Sequence, residues 1–321
     1  MRRLDMLSKI CIIIYLLSVL TGCSKESNSS SVNQPIEIAH IESPSKKELP
    51  QIAETLPGEI QNEIAEPIIV EKDWSSYFDG RNGAAVIYDP TGNCYEIYNQ
   101  KLAVTPRSPC STFKIISSLI ALENGIIDPD NSTRTWSGEI FWNEDWNKDI
   151  DFSDAFHASC VWYFREVNDE IGKDLMQEEL NRLGYGNCDI SDWTGRLNTN
   201  NSNPVLTGFW IESSLLISPK RQVQLLESIF GDNTEYSEET LIQLKKVMLL
   251  SNQNNPDILI YGKTGMGKSY GIVVDSWYTG FADSTYNRIY FCVYLGETDN
   301  KDVSSTKARE IAVEIVTNYF A

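Results

Sequence analysis

The sequence predicts an α/β protein of the α+β type. An antiparallel sheet is built from both chain ends and flanked by helices, with an all-helical subdomain inserted between them. Three observations predict this. Short runs rich in β-branched and aromatic residues appear early, at 84–88 and 95–98, and again late, at 258–261, 272–281 and 289–294. Apolar residues at helical spacing fill much of 112–250. A last helical pattern runs from about 304 to 319. A cleft is expected where sheet and helical insertion meet, since ligand sites commonly form at such junctions.

The elements follow in order. Arg2, Arg3 and Lys9 precede an almost wholly apolar run over 10–20, too short for a comfortable membrane span and shaped like a secretion signal. It ends in Leu20-Thr21-Gly22-Cys23, and small residues before a cysteine resemble the lipobox of bacterial lipoproteins. That resemblance implies removal of a signal peptide, residues 1–22, and lipid on the Cys23 sulfur. The rest is then exported and held on the extracytoplasmic face of a bacterial envelope membrane. Residues 23–71 are rich in Ser, Glu, Pro, Asn and Lys without an apolar period, so they are expected to be a flexible tether. Residues 72–321 remain, enough for one sizeable domain or a domain with a large insertion. Within it, Gly92-Asn93 is the turn between the first two strands, and the helix after Ser111 stops at Gly125.

Composition narrows the chemistry. The formal net charge is -18, and losing residues 1–22 removes three basic residues and one acidic one, giving -20. So acidic a chain does not favour nucleic acid, whose phosphates demand Lys and Arg. The only histidines are His40, in the tether, and His157. With no Cys-x-x-Cys pair, no metal site is expected. Histidine scarcity also argues against a Ser-His-Asp triad, so a serine enzyme on this chain needs lysine as its base.

Lys114 stands three residues after Ser111, and residues at i and i+3 share a helix face. The same spacing recurs at Ser43/Lys46 and Ser304/Lys307, but only Lys114 lies among apolar neighbours. A serine needs a base, and an amine kept from water loses its proton more readily. Taken alone, the segment also fits a capped core helix with one snorkelling lysine.

A second motif, Gly262-Lys-Thr-Gly-Met-Gly267-Lys268-Ser269, matches the phosphate-binding loop pattern in full. Such a loop must lead into a helix, whereas residues 270–281 carry strand chemistry, so nucleotide is not an expected partner. Lys263-Thr264-Gly265 instead ends a strand, where a lysine and a hydroxyl suit a substrate carboxylate. Gly265 permits close backbone approach, and the next amide, of Met266, suits a developing oxyanion.

Between these sites lie Ser159-Cys160-Val161, Tyr185-Gly186-Asn187 and the Gly208-Phe-Trp210 segment. Their order, with Ser-Thr-Phe-Lys before and Lys-Thr-Gly after, resembles class D serine β-lactamases, of the penicillin-binding transpeptidase fold. It is also similar to penicillin-sensor domains. The resemblance covers residues 72–321 and implies roles. Ser111 attacks the β-lactam carbonyl. Lys114, N-carboxylated by carbon dioxide or bicarbonate, is the general base, with no other cofactor. Trp210 holds the carbamate, Val161 walls it, and Ser159 relays a proton to the lactam nitrogen. Lys263, Thr264, Gly265 and Met266 bind substrate, with the Ser111 and Met266 amides forming the oxyanion hole. Tyr185, Gly186 and Asn187 shape the cavity.

The class D arginine that anchors substrate carboxylate can fall on Lys307, Ala308 or Arg309. A Cys110–Cys160 disulfide is expected if the two serines converge. The implied function is hydrolysis of β-lactam antibiotics, conferring resistance. A penicillin sensor acylated without rapid turnover, or a peptidoglycan DD-peptidase, shares most of these residues. Sensors follow several membrane helices, whereas this sequence shows a single short N-terminal signal, which favours the hydrolase.

Overall fold

A computed structural model describes residues 66–197, 202–250 and 257–321. Among them, six strands form one sheet: β1 (Ile68–Glu71), β2 (Gly83–Asp89), β3 (Cys94–Tyr98), β4 (Ile258–Ser269), β5 (Ile272–Ser284) and β6 (Arg288–Gly296). Their order is β1-β3-β2-β6-β5-β4, so early and late strands meet at the β2–β6 pairing. The sheet built from both chain ends is therefore observed.

Two details differ from expectation. The strand β1 falls inside the stretch assigned to the tether, and it pairs parallel with β3. All four of its side chains are exposed, so it carries no alternating apolar pattern to read. The strand β4 also runs much further than 258–261, so Lys263-Thr264-Gly265 sits inside the edge strand and not at its end. The eight residues of the phosphate-loop pattern are thus strand, their amides set by sheet pairing with β5.

Helices occupy the middle of the chain and both faces of the sheet. The short α1 (Ser75–Phe78) and α2 (Gln100–Ala103) accompany the early strands. Then come α3 (Lys114–Glu123), α4 (Phe152–His157), α5 (Val161–Ile171), α6 (Lys173–Leu183), α7 (Pro219–Phe230) and α8 (Glu238–Met248). The chain closes with α9 (Ser305–Tyr319), whose N-cap Ser304 accepts from the Lys307 amide. One face of the sheet packs on the central helices, through Val86, Trp277, Phe281 and Tyr294 among others. The other face packs on α9, through Ile260, Tyr278, Val293 and Ile311. The helix α3 is buried along most of its length, Lys114 included. That burial brings the start of α3 against the edge strand β4.

Candidate active site

A 3-10 turn, Cys110–Phe113, precedes α3. In that tight geometry side chains at i and i+3 eclipse, which sets Ser111 beneath Lys114. Lys114 Nζ lies 2.9 Å from Ser111 Oγ. Its side chain is only 1% exposed, and Nζ sits 5.2 Å from the centre of the Phe164 ring. Burial pulls the Lys114 pKa down to about 8. The amine is therefore a usable base near neutral pH, with its nitrogen within hydrogen-bond reach of the nucleophile.

Glycines on β4 make the approach possible. Lys263, Gly265 and Gly267 alternate along the strand and share its buried face. A Cβ on Gly265 would come within 2.9 Å of the Pro109 carbonyl oxygen and 3.2 Å of the Thr112 nitrogen. One on Gly267 would come within 2.9 Å of Cys110 Sγ. Without those side chains, the edge-strand backbone lies directly on the turn carrying Ser111. Gly267, one of the phosphate-loop glycines, is thus needed for packing.

Ser159 lies between α4 and α5 in a left-handed conformation, φ 55°. The turn is pinned by Trp146 Nε1, which donates to the Ala158 carbonyl at 3.0 Å. Lys263 Nζ reaches Ser159 Oγ at 3.0 Å, and the Thr264 carbonyl and hydroxyl at 3.2 and 3.3 Å. Burial holds the Lys263 pKa well below its ordinary value, and the nearby charges of Lys114 and Arg309 add to the effect. Cys110 and Glu212, which flank the same cleft, also adopt positive φ, 49° and 50°. Three non-glycine residues in this sparsely populated region mark a cleft whose surroundings enforce its shape.

Trp210 folds back over Gly208, where any Cβ would lie 2.1 Å from the indole ring. Its ring stacks on Phe113, the neighbour of Lys114, at 6.2 Å. The indole is 1% exposed, and its Nε1 is a buried donor with no partner among the described residues. A buried, unsatisfied N–H is costly, so its presence beside the Lys114 turn is a chemical signal. A carbamate on Lys114 fits that donor set, because it supplies an anionic acceptor.

Two cavities flank the Ser111–Lys263 line. The first, of about 370 Å³, is lined by Ser111, Val161, Trp142, Trp146, Met266 and Glu212 among others. The second, of about 460 Å³, includes Lys263, Thr264, Tyr278 and Arg309. Of the three anchor positions left open by the sequence, Arg309 lines the second of these cavities, and the other two line neither. Ala308 is fully buried, and Lys307 pairs with Glu310 on the surface.

Sequence reasoning missed Trp142 and Glu212. Trp142 is exposed, and its ring lies tilted against that of Trp146 at 5.0 Å. The Glu212 amide donates to Ser108 Oγ, and its carboxylate accepts from the Lys268 amide, tying the Trp210 segment to β4. No periodicity announces either residue.

Other expectations need correction. Cys110 and Cys160 are both free thiols. Cys110 Sγ points at the Ser108 carbonyl, 3.6 Å away, and is occupied against Gly267, so the two sulfurs are not joined. Burial pushes both thiols up, Cys160 to about 11. Tyr185, Gly186 and Asn187 lie behind the site and do not line either cavity. Tyr185 packs edge-on against Phe113, Gly186 admits the Leu216 carbonyl, and Asn187 Nδ2 donates to the Ser214 carbonyl. His157 lines the cavity of Arg309, while the Ser111 hydroxyl is bonded to Lys114. Cys23 and residues 1–22 fall outside the described residues.

Residues 83–317 match the penicillin binding protein transpeptidase domain. The chain belongs to that family. It is 32% identical over 247 residues to beta-lactamase OXA-1 of Escherichia coli, covering 75% of this chain and 86% of that protein. It is 31% identical over 248 residues to the regulatory protein BlaR1 of Bacillus licheniformis, covering 76% of this chain but only 38% of BlaR1. The solved C-terminal domain of the Bacillus licheniformis BlaR penicillin-receptor superposes with a TM-score of 0.69 at 28% identity, over 80% of this chain and 98% of that domain. Class D β-lactamases and penicillin-sensor domains are thus both homologues of this transpeptidase-family chain, and the mixed six-stranded fold is theirs.

Proposed function

We propose that this chain hydrolyses β-lactam antibiotics through an acyl-enzyme on Ser111. One observation carries the reading: a buried lysine, its pKa drawn down to about 8, sits 2.9 Å from the Ser111 hydroxyl. Lys114 takes the Ser111 proton as Oγ attacks the lactam carbonyl carbon. The Ser111 and Met266 amides stabilise the oxyanion. Ser159, held by Lys263, passes a proton to the lactam nitrogen as the C–N bond breaks. Water, deprotonated at Lys114, then releases the product and restores the serine. N-carboxylation of Lys114 would supply an anionic oxygen base, with Trp210 Nε1 donating to it and Val161 closing the pocket. Thr264 and Arg309 hold the substrate carboxylate. A signal peptide over 1–22 and lipid on Cys23 would keep the domain outside the cytoplasm at a membrane.

The sensor reading is favoured by the likeness to the BlaR penicillin-receptor domain. Turnover separates the two. Excess chromogenic β-lactam is expected to be consumed many times over per protein molecule, with a Ser111 adduct trapped by acid quench. A single burst equal to the protein concentration would overturn hydrolysis in favour of sensing. Bicarbonate is expected to raise the steady rate, and a full rate in carbon-dioxide-free buffer would remove the carbamate.

A further inference from the structure

The two cavities beside the nucleophile differ in charge. The one that Ser111 lines carries both signs, Glu212 and Lys268. The one beyond Thr264 is lined by Lys246, Lys263, Arg309 and His157, with no aspartate or glutamate among its lining residues. Lys246 and Arg309 thus face one concavity without a carboxylate, on a chain of net charge -18. Nor are those cations neutralised by near neighbours: every ion pair among the described residues involves other basic side chains. Tyr278, 2% exposed, adds a buried hydroxyl with no partner to the same wall. The charge of Arg309 reaches both Lys263 and Tyr278.

A single substrate carboxylate on Thr264 and Arg309 leaves Lys246 unused, at the C-terminal turn of α8 and lining the same cavity. Uncompensated cations facing one concavity focus a positive potential into it. We propose that this cavity is a second anion subsite. It would recognise β-lactams carrying an additional carboxylate on the substituent of the carboxylate-bearing ring. The first carboxylate sits at Thr264 and Arg309, and the second reaches Lys246 with His157 beside it. The ring-side substituent is the one concerned, because the cavity lined by Thr264 and Arg309 is distinct from the one lined by Ser111, Trp142 and Met266. Lys263 supports the arrangement physically. Its amine is held from its charged form by burial, and a second anion nearby favours protonation.

The inference rests on the proposed function, and its test is kept separate from turnover. Two cephems identical except for a carboxylate or a carboxamide at the end of the ring substituent are titrated into full-length Ser111→Ala protein by calorimetry. The dicarboxylate is expected to bind about fivefold tighter, the upper end for a solvent-accessible ion pair, with the advantage shrinking as salt is raised. Lys246→Gln should remove the preference and Lys246→Glu should invert it. Equal affinities in the parent, or a preference that survives Lys246→Glu, would overturn the subsite. Adduct formation on Ser111 in the unmutated chain is scored independently. Its absence with the preference intact would sink the hydrolase reading alone, and its presence with a ratio of one would sink the subsite alone.

Discussion

Lys114 and Lys263 each bring a side-chain nitrogen onto a serine hydroxyl, at 2.9 Å from Ser111 and 3.0 Å from Ser159, and each is buried. Their surroundings separate them. Lys263 spends its remaining capacity on the Thr264 carbonyl and hydroxyl, and it lines a cavity of about 460 Å³ together with Arg309. Lys114 has one side-chain hydrogen bond and an aromatic face, and its neighbour Phe113 stacks on Trp210, whose indole N–H is unsatisfied. The lesson is that burial alone does not make a base. A lysine whose donors are all engaged is a fixed donor, and one with spare valence in a dry pocket is free to exchange protons or accept carbon dioxide.

The sharpest way to break that division is to remove each amine in turn. Lys114→Ala is expected to slow acylation by about 10³-fold or more, the range of a positioned general base, and to slow deacylation as well. Lys263→Ala is expected to cost about 10- to 100-fold, as loss of a positioned electrostatic donor. Stopped-flow acylation with a chromogenic β-lactam reads both. Equal losses would show that the two corners do the same work.

A stability measurement tests the same contrast without any substrate. The unfolded chain holds the Lys114 proton up to its ordinary pKa of 10.5, whereas the folded chain holds it only to about 8. The unfolded state therefore binds more protons between those values, and stability from this group rises with pH across that window. Below about pH 8 both states are protonated and the cost of burying the charge is fully present. Lys114→Met is thus expected to stabilise the fold by about 3 kcal/mol below pH 8, with the gain fading toward pH 10.5. Denaturant titrations at pH 7 and pH 10 would measure it, and a gain that does not depend on pH would place Lys114 in water.

Much of this site is legible in the sequence because its constraints are local. Ser111 and Lys114 stand one turn apart on an apolar helix, and Ile115, Ile116 and Leu119 already say that the lysine is walled off. Glycine at 265 reports a backbone that must approach another. What stayed hidden depends on contacts distant in sequence. The strand β1 has four exposed side chains, so only its pairing with β3 identifies it. Choosing Arg309 over Lys307 requires the rotation of α9 against the sheet. The unpaired state of Cys110 follows from where Ser108 and Gly267 lie, which neither neighbour in the chain announces.

The role of Trp210 can be isolated by keeping its ring and removing its N–H. Trp210→Phe preserves an aromatic face over Phe113 while deleting the buried donor. If that donor holds an anionic group on Lys114, deacylation is expected to fall by about 100-fold, acylation less, and added bicarbonate to restore part of the loss. Equal loss at both steps, with no bicarbonate response, would show the indole to be packing alone.

The smallest effect concerns the far end of the Lys263 corner. Arg309 is half-buried, lines the cavity beside Thr264 and depresses the Lys263 pKa, whereas Lys307, two residues earlier, turns to Glu310 at the surface. A guanidinium on a substrate carboxylate contributes through a charge-assisted hydrogen bond, reduced here by solvent access. Arg309→Ala is therefore expected to lower the acylation efficiency of a monocarboxylate β-lactam by about tenfold, mainly through weaker binding. Lys307→Ala should leave it unchanged, since an exposed ion pair one turn along a helix contributes little. Removing Arg309 also removes a like charge near Lys263, so the Lys263 pKa should rise. Any loss in binding would then be partly offset by a more fully charged lysine. Arg309→Lys distinguishes the two contributions: it restores the charge near Lys263 but not the planar, two-pronged grip on a carboxylate. Recovery of only part of the tenfold loss would assign the remainder to that grip, and full recovery would reduce the anchor to a point charge.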